Sequence, residues 1–346
     1  MPFVTIFETD WAGGEGYVVL AAYRPDPELF RRQLRSIQAQ TVSAFHCLIV
    51  ADGEADSVLG ATRQAVGNDP RFEVIGFENR VGFYRNFERG LATVPHDARW
   101  IALSDQDDAW YPDKLEKLLP HLRQSALVSG QARVVSYPAG EILSVSTNRK
   151  NVGVTSYFLD NQFTGSLSVF RGEVLGLALP FPSLRTPAEV HDHWLAVCAH
   201  FLGGASVVND VVQDYVQHKA NVIGESDTER FRPTRSWATL TRTARRYEDG
   251  ITPRRLARAT YNVGVGWRST MAAALGERLP QPAPQDYLRL EALYGRDRRL
   301  SATTSHIFRS VRAGTVSPRS AVEYVAGWLA GTVFRLRGPG DRPASR

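Results

Sequence analysis

Apolar positions in the first part of the chain form short runs separated by amphipathic stretches. The runs predict β-strands over residues 17–22, 45–50, 72–77 and 100–103. Between the strands, apolar residues at helical spacing predict helices after Pro27, near 55–67 and near 83–92. Alternation of this kind indicates an α/β fold with a mostly parallel sheet flanked by helices.

Beyond residue 225 the pattern changes to helical segments, predicted over 238–247, 253–275, 285–299 and 318–335. The charge changes sign at the same place. Residues 225–346 contain 22 Arg, no Lys and 11 acidic residues, whereas the first 224 residues carry 19 basic and 25 acidic ones. We therefore predict an α/β domain over 15–224, a basic helical extension over 225–336 and a disordered tail over 337–346.

Length and composition indicate a folded chain that buries a large core, with about two domains. Both cysteines, Cys47 and Cys198, lie in apolar stretches without metal-ligand spacing, which favours buried thiols in a reducing compartment. The first residues lack the pattern of a signal peptide, and the late apolar run 325–334 is shorter than the roughly 20 residues of a membrane span. We expect a cytoplasmic protein that does not cross the membrane.

A cluster of three carboxylates follows the fourth predicted strand, where Asp105, Asp107 and Asp108 lie within four residues. Carboxylates this close repel one another unless a cation lies between them, and oxygen ligands of this kind suit Mg²⁺ or Mn²⁺. The alternative is an acidic turn that caps the helix expected after Pro112. In a parallel sheet, ligands bind where the loops after the strands converge, so the residues after the other strands are candidates too.

Several segments, in this order, resemble glycosyltransferase family 2, especially its rhamnosyltransferase-like members. They are residues 22–41 (AYRPDPELFRRQLRSIQAQT), 79–87 (NRVGFYRNF), 104–115 (SDQDDAWYPDKL), 191–196 (HDHWLA) and 215–224 (YVQHKANVIG). The resemblance covers about the first two-thirds of the chain. It implies a GT-A-like nucleotide-diphospho-sugar transferase fold and an inverting, metal-dependent transfer of a sugar to a hydroxyl.

The resemblance also implies the residues that bind the donor. They are Ala22, Tyr23, Asp52, Arg80, Arg85, Asn86, Asp105 and Gly165. In this reading, Asp52 accepts a hydrogen bond from the base, Arg80 and Arg85 contact the diphosphate, Asp105 contacts the ribose or the metal through water, and Gly165 lies beside the sugar. The family more often has Asp-Asp-Gly-Ser where this chain has Ala-Asp-Gly-Glu at 51–54, so a turn-closing role for Asp52 stays open.

The same resemblance implies roles in metal binding and catalysis for three further residues. Asp107 is the expected metal ligand, with His218 as a second metal or phosphate contact, and the ion would be Mg²⁺ or Mn²⁺. Asp192 is the expected general base for the acceptor hydroxyl. The alternatives are a helix N-cap for Asp192 and an ordinary loop histidine for His218.

The expected partners are a dTDP- or UDP-linked sugar, with rhamnose preferred, and a glycan or lipid-linked acceptor. A UDP-hexose transferase and a catalytically silent nucleotide-sugar-binding scaffold are the rival functions. The arginine-rich extension with its aromatic residues indicates peripheral contact with an anionic membrane or a lipid-diphosphate acceptor; a solvated helical domain or an oligomerisation surface is the alternative. We expect no nucleic-acid partner, because no reader motif accompanies the charge.

Overall fold

The structure, a computed structural model, describes residues 15–218, 233–295 and 298–336, with the side chains of 233–237 left out. Contacts divide the chain into two compact units. The first unit draws on Met1–Asn151, Phe163–Leu179 and Leu195–Glu225, and the second unit on Val152–Gln162, Pro180–Trp194 and Ser226–Arg346. The predicted boundary at 224/225 and the predicted tail 337–346 lie outside the described residues.

A nine-stranded sheet forms the centre of the first unit. Its strands are β1 (Gly16–Ala22), β2 (Phe45–Asp52), β3 (Phe72–Phe77), β4 (Trp100–Ser104), β5 (Ala109–Trp110), β6 (Leu127–Ser136), β7 (Ile142–Ser144), β8 (Ser168–Arg171) and β9 (Ala205–Gln217). Their order is β3-β2-β1-β4-β8-β6-β9-β5, with β7 paired to β6. Strands β1 to β4 correspond to the runs predicted over 17–22, 45–50, 72–77 and 100–103, and they pair in parallel as expected.

The other half of the sheet is mixed. Strand β8 runs antiparallel to both β4 and β6, whereas β6 and β9 are parallel. The sequence did not predict β6 or β8. Strand β6 places the buried polar residues Ser129 and Gln131 among its apolar ones, so it does not read as a continuous apolar run.

Helices cover the sheet of the first unit. They are α1 (Pro27–Gln38), α2 (Ala55–Val66), α3 (Phe83–Leu91), α4 (Lys114–Leu118) and α6 (Val174–Ala178), together with part of α7 (His191–His200). Helix α1 begins where the Asp26 carboxylate accepts hydrogen bonds from the backbone N–H groups of Glu28 and Leu29. Helix α3 lies so close to β1 and β2 that a Cβ added to Gly90 would be 2.4 Å from Val50. The sequence thus predicted α1, α2 and α3, and α4 is the helix expected after Pro112.

The second unit is helical in its described residues. Its elements are α5 (Val154–Tyr157), the start of α7, α8 (Pro233–Tyr247), α9 (Pro253–Tyr261), a π-helical turn (Asn262–Gly266), α10 (Trp267–Arg278), α11 (Gln285–Tyr294), α12 (Leu300–Arg312) and α13 (Pro318–Val333). The helix predicted over 253–275 is therefore α9, the π turn and α10 in succession. The one predicted over 285–299 ends at Tyr294, and α12 was not predicted.

Small residues bring α13 close to α9 and the π turn. A Cβ added to Gly264 would lie 2.3 Å from the backbone oxygen of Glu323, and one on Gly331 would lie 2.5 Å from the ring of Tyr261. Tyr324 and Gly327 are buried on the same side of the helix. None of the helices in the described ranges combines the length and the hydropathy of a membrane span.

Candidate functional site

The end of β2 is fastened to the loop before α3 by Asp52. Its carboxylate accepts hydrogen bonds from the backbone N–H groups of Val81 and Gly82, both at 2.8 Å, and from the Arg89 guanidinium at 2.8 Å. The Asp52 side chain is only 3% exposed. In the structure, the residue predicted to accept the base N–H fixes the 79–82 loop, and its partner is Arg89, which no sequence pattern indicated.

Asn86 and Arg85 stand one turn before Arg89 on α3. Buried Asn86 donates from Nδ2 to the Val50 carbonyl at 2.8 Å and accepts from Arg89 Nε at 2.9 Å. Arg85 forms an ion pair with Glu88. Of these two predicted donor-binding residues, Asn86 therefore orients Arg89 and ties α3 to β2, and Arg85 already has an acidic neighbour.

Tyr23 connects the loops that follow β1, β3 and β4. Its backbone N–H donates to Gln106 Oε1 at 2.7 Å, and its carbonyl accepts from Gln106 Nε2 at 3.2 Å. The Arg80 guanidinium lies 3.8 Å from the centre of the Tyr23 ring, and Arg80 Nε is 4.0 Å from the Asp52 carboxylate. Ala22, at the end of β1, is buried. A chain of contacts therefore runs from Asp52 through Arg80 and Tyr23 to the acidic loop.

Asp107 and His218 meet at the other end of that chain. The Asp107 Oδ2 and His218 Nε2 atoms lie 2.8 Å apart, although the residues are separated by 111 positions. His218 directly follows β9, and both side chains are largely buried, at 19% and 16% exposed. The strand order thus brings together the two residues predicted to bind the metal.

This pair provides one carboxylate oxygen and one imidazole nitrogen, a donor set that Mn²⁺ accepts and that Mg²⁺ accepts through its oxygen. Within 15–218, 233–295 and 298–336, no three His, Cys, Asp or Glu residues come together as a complete metal site. The chemistry still fits a catalytic ion, since such ions complete their coordination with water and substrate phosphates. Asp107 and His218 are the residues that would hold it.

Beneath the acidic loop lies a buried polar network that the sequence did not predict. The Asp108 carboxylate accepts from Gln213 Nε2 at 2.8 Å and from the Val216 N–H at 3.1 Å. The Lys114 ammonium donates to Gln213 Oε1 at 2.8 Å and to the Ser166 carbonyl. One amide on β9 thus bridges a buried carboxylate and a buried ammonium, and the network also reaches the short 3₁₀ turn that starts at Gly165.

Burial and charge act on both ends of this network. Burial raises the pKa of Asp108 well above its usual range, and the charges of Asp107 and Asp105 raise that pKa further. Burial lowers the pKa of Lys114, against the opposite effect of the Asp108 and Asp105 charges. Lys114 also lies 3.7 Å from the centre of the Trp110 ring, which offers its negative face to the ammonium.

Asp192 belongs to the second unit and lies in the first turn of α7, one residue inside the helix. It is therefore not the residue that precedes the helix, as the N-cap alternative would require. Its Oδ1 accepts from the His193 N–H at 2.6 Å and from Asn161 Nδ2 at 3.1 Å. These two bonds orient a partly buried carboxylate near a helix N-terminus, where negative charge is favoured.

Two buried histidines flank Asp192. Burial lowers the pKa of His191 to about 3 and that of His193 to about 3. The charge of Arg268 contributes to the second shift. Both imidazoles are therefore neutral in the folded protein near pH 7.

Residues 17–172 match the model of the family described as Glycosyl transferase family 2. Over 103 residues, the chain is 37% identical to the succinoglycan biosynthesis protein ExoW of Rhizobium meliloti (strain 1021). That match covers 28% of this chain and 31% of ExoW, so the chain spans about a third of the length of this curated relative.

Two solved structures are similar to most of the chain. S. aureus TarS 1-349 in complex with UDP-GlcNAc is 14% identical with a TM-score of 0.49, over 93% of this chain and 91% of that one. The mannosyltransferase PcManGT from Pyrobaculum calidifontis in complex with GDP-Man and Mn²⁺ is 17% identical with a TM-score of 0.47, over 93% and 88%. The family match, the mixed sheet flanked by helices and the helical C-terminal region confirm the GT-A-like fold.

We predict that Lys114→Met destabilises the protein by about 3 kcal/mol, since it leaves the buried Asp108 carboxylate and Gln213 Oε1 without their cation. Lys117→Met is the matched control, because Lys117 forms a surface pair with Asp113 and its loss costs about 0.5 kcal/mol or less. Urea unfolding measures both. A double-mutant cycle with Asp108→Asn should show coupling of roughly 1 kcal/mol or more. Equal costs for the two lysines would contradict a structural role for the network.

The neutral histidines predict a loss of stability in acid. Their folded pKa values lie below the unfolded value of about 6.5, so their contribution is complete above pH 6.5 and declines as the pH falls toward 3. At pH 5 the loss is about 2 kcal/mol for each histidine. His193→Gln should remove about half of this pH dependence in urea titrations, whereas the exposed His96→Gln should not. An unchanged slope in His193→Gln would refute the assignment.

Proposed function

We propose that the chain, whose residues 17–172 match the model of Glycosyl transferase family 2, transfers a sugar from a nucleoside-diphosphate donor to an acceptor hydroxyl. The observation that supports this most is the Asp107–His218 contact, at the end of the contact chain from Asp52. This edge of the sheet presents a metal-ligand pair, an arginine and an aromatic ring together. Such a set matches the phosphates and the base of a donor nucleotide.

Each part of this edge has a role in donor binding. Asp52 and Tyr23 bind the nucleoside, with Asp105 at the ribose, and Arg80, whose side chain is 58% exposed, contacts the diphosphate. Asp107 and His218 would hold Mg²⁺ or Mn²⁺, and such an ion would supply positive charge against the negative charge of the leaving diphosphate. The turn at Gly165, fastened through Ser166 to Lys114, lies beside the sugar.

The chemical step is a single displacement. The acceptor oxygen forms a bond to the anomeric carbon, while the bond from that carbon to the diphosphate oxygen breaks and its electron pair leaves with the nucleoside diphosphate. Asp192 takes the proton of the acceptor hydroxyl. Attack from the face opposite the leaving group inverts the anomeric centre. The bonds from Asn161 and the His193 N–H hold the carboxylate in a fixed orientation for this step.

We further propose dTDP-rhamnose as the donor, because the motifs resemble rhamnosyltransferase-like members of the family. A UDP-hexose is the alternative donor, and a silent nucleotide-sugar-binding scaffold is the alternative function. The similarity to ExoW, whose name refers to succinoglycan biosynthesis, supports an acceptor in a cell-surface polysaccharide or glycolipid. The two buried cysteine thiols, Cys47 and Cys198, support a cytoplasmic site of action.

Donor binding predicts a metal-dependent affinity for a pyrimidine nucleoside diphosphate. Calorimetry with dTDP, UDP, GDP and ADP, with and without Mn²⁺ or Mg²⁺, should show binding of dTDP or UDP that weakens roughly tenfold or more when EDTA removes the metal. Asp107→Ala should remove the metal dependence. Asp113→Ala, which deletes an exposed carboxylate six residues away, should leave it intact. No binding of any nucleotide with either metal would overturn the proposal.

Asp192→Asn separates catalysis from donor binding. It should lower kcat by roughly 10² to 10⁴ while the donor affinity stays within about twofold, because the amide cannot accept the proton. Asp286→Asn, a change at a half-exposed carboxylate on α11 of the same unit, should leave kcat unchanged. Transfer is measured by release of the nucleoside diphosphate. Full activity of Asp192→Asn would exclude Asp192 as the base.

A further inference from the structure

Helix α13 has an exposed apolar face. Val322, Val325, Leu329 and Val333 are 57%, 38%, 51% and 73% exposed. Their spacing of three, four and four residues puts them on one side of the helix, in a stripe about 16 Å long. Apolar side chains at this spacing on a surface helix normally face a core, so this stripe is unusual.

Among residues 233–295 and 298–336, the stripe is not the side on which α13 packs. That role belongs to the opposite side of α13, where Tyr324, Gly327 and Gly331 are buried. The contacts of Gly331 with Tyr261 and of Gly327 with the backbone of Thr260 and Gly264 leave no room for larger side chains there. Helix α13 is therefore fixed on one side and presents the stripe on the other.

The part of the chain that contains α12 and α13 is strongly basic. Residues 298–336 contain six arginines and one acidic residue. Five of the arginines are exposed, namely Arg299, Arg309, Arg312, Arg319 and Arg335. Arg319 lies one turn before Val322 on the same face, and the single acid, Glu323, is paired with it at 3.0 Å.

We propose that α13 docks onto an anionic lipid bilayer and lies in its interface, with the stripe at the acyl boundary and the arginines on lipid phosphates. Apolar area and positive charge on one helix are the combination that binds such a surface. A second copy fits less well, since residues 298–336, with six arginines and one acid, would bring like charge together in two copies. Nucleic acid would use the arginines but leave the stripe in water. The proposal rests on the second unit alone, independently of sugar transfer.

Flotation of the full chain with lipid vesicles tests this surface. Wild type should bind phosphatidylcholine vesicles that contain about 30% phosphatidylglycerol. Its affinity for pure phosphatidylcholine vesicles should be lower by roughly tenfold or more. Raising the salt concentration should weaken binding to the anionic vesicles. Val325→Asp/Leu329→Asp should reduce that binding about tenfold or more. Leu288→Asp is the control, because Leu288 is equally exposed, at 55%, but lies on α11 outside the stripe.

Three outcomes would overturn the proposal. They are no binding of wild type to anionic vesicles, equal binding to neutral ones, and equal loss in Leu288→Asp. A concentration-dependent dimer in sedimentation that Val325→Asp/Leu329→Asp abolishes, without vesicle binding, would make the stripe a subunit interface instead. Circular dichroism and nucleotide binding of the double variant show that it is folded. Nucleotide binding also separates this test from the proposed transferase function.

Discussion

The candidate site depends on a carboxylate and an ammonium that are both buried and that share one amide. Gln213 donates to Asp108 and accepts from Lys114, so its side chain holds β9, the acidic loop and α4 together at one point. Isolated charges are costly to bury, and such a network is stable only when its members satisfy one another. Because Asp107 precedes Asp108 and His218 follows β9, the same bonds set the distance between the two metal-ligand candidates.

Several side chains of the candidate site hold its loops and its other side chains in place. Asn86 and Arg89 spend their hydrogen-bonding groups on Val50, Asp52 and one another, and so define the end of β2. The Gln106 amide accepts from the Tyr23 N–H and donates to the Tyr23 carbonyl, as the backbone of a neighbouring strand would. These two bonds fix the acidic loop to the end of β1. Rigid support of this kind is what an electrostatic binding site requires, since its groups must not reorganise when charge develops.

The sequence predicted the elements whose burial is regular and missed those whose burial is not. Strands β1 to β4 are apolar runs, so periodicity identified them. Strand β6 has buried Ser129 and Gln131, and α12 is rich in Ser and Thr, so neither has a clear pattern. The motifs indicated Asp107 and His218 through the family resemblance. They did not indicate Arg89 or Gln213, because an amide or a guanidinium acquires its partner only when distant segments meet. Gln106 stood inside a recognised motif, but its two bonds to Tyr23 could not be read from the spacing. Lys114 stood inside a recognised motif, but nothing in its spacing showed that it is buried.

The two faces of α13 place different demands on the residues that evolution can accept. On the inner face, Gly327 and Gly331, like Gly264 on the π turn opposite, are set by shape, because backbone or an aromatic ring occupies the space that any side chain would need. On the outer face, each valine or leucine is open to solvent, and another apolar residue would serve equally well. Related chains should therefore keep the same residues on the inner side of this helix. On the outer side they should keep only its apolar character, so that substitutions accumulate there.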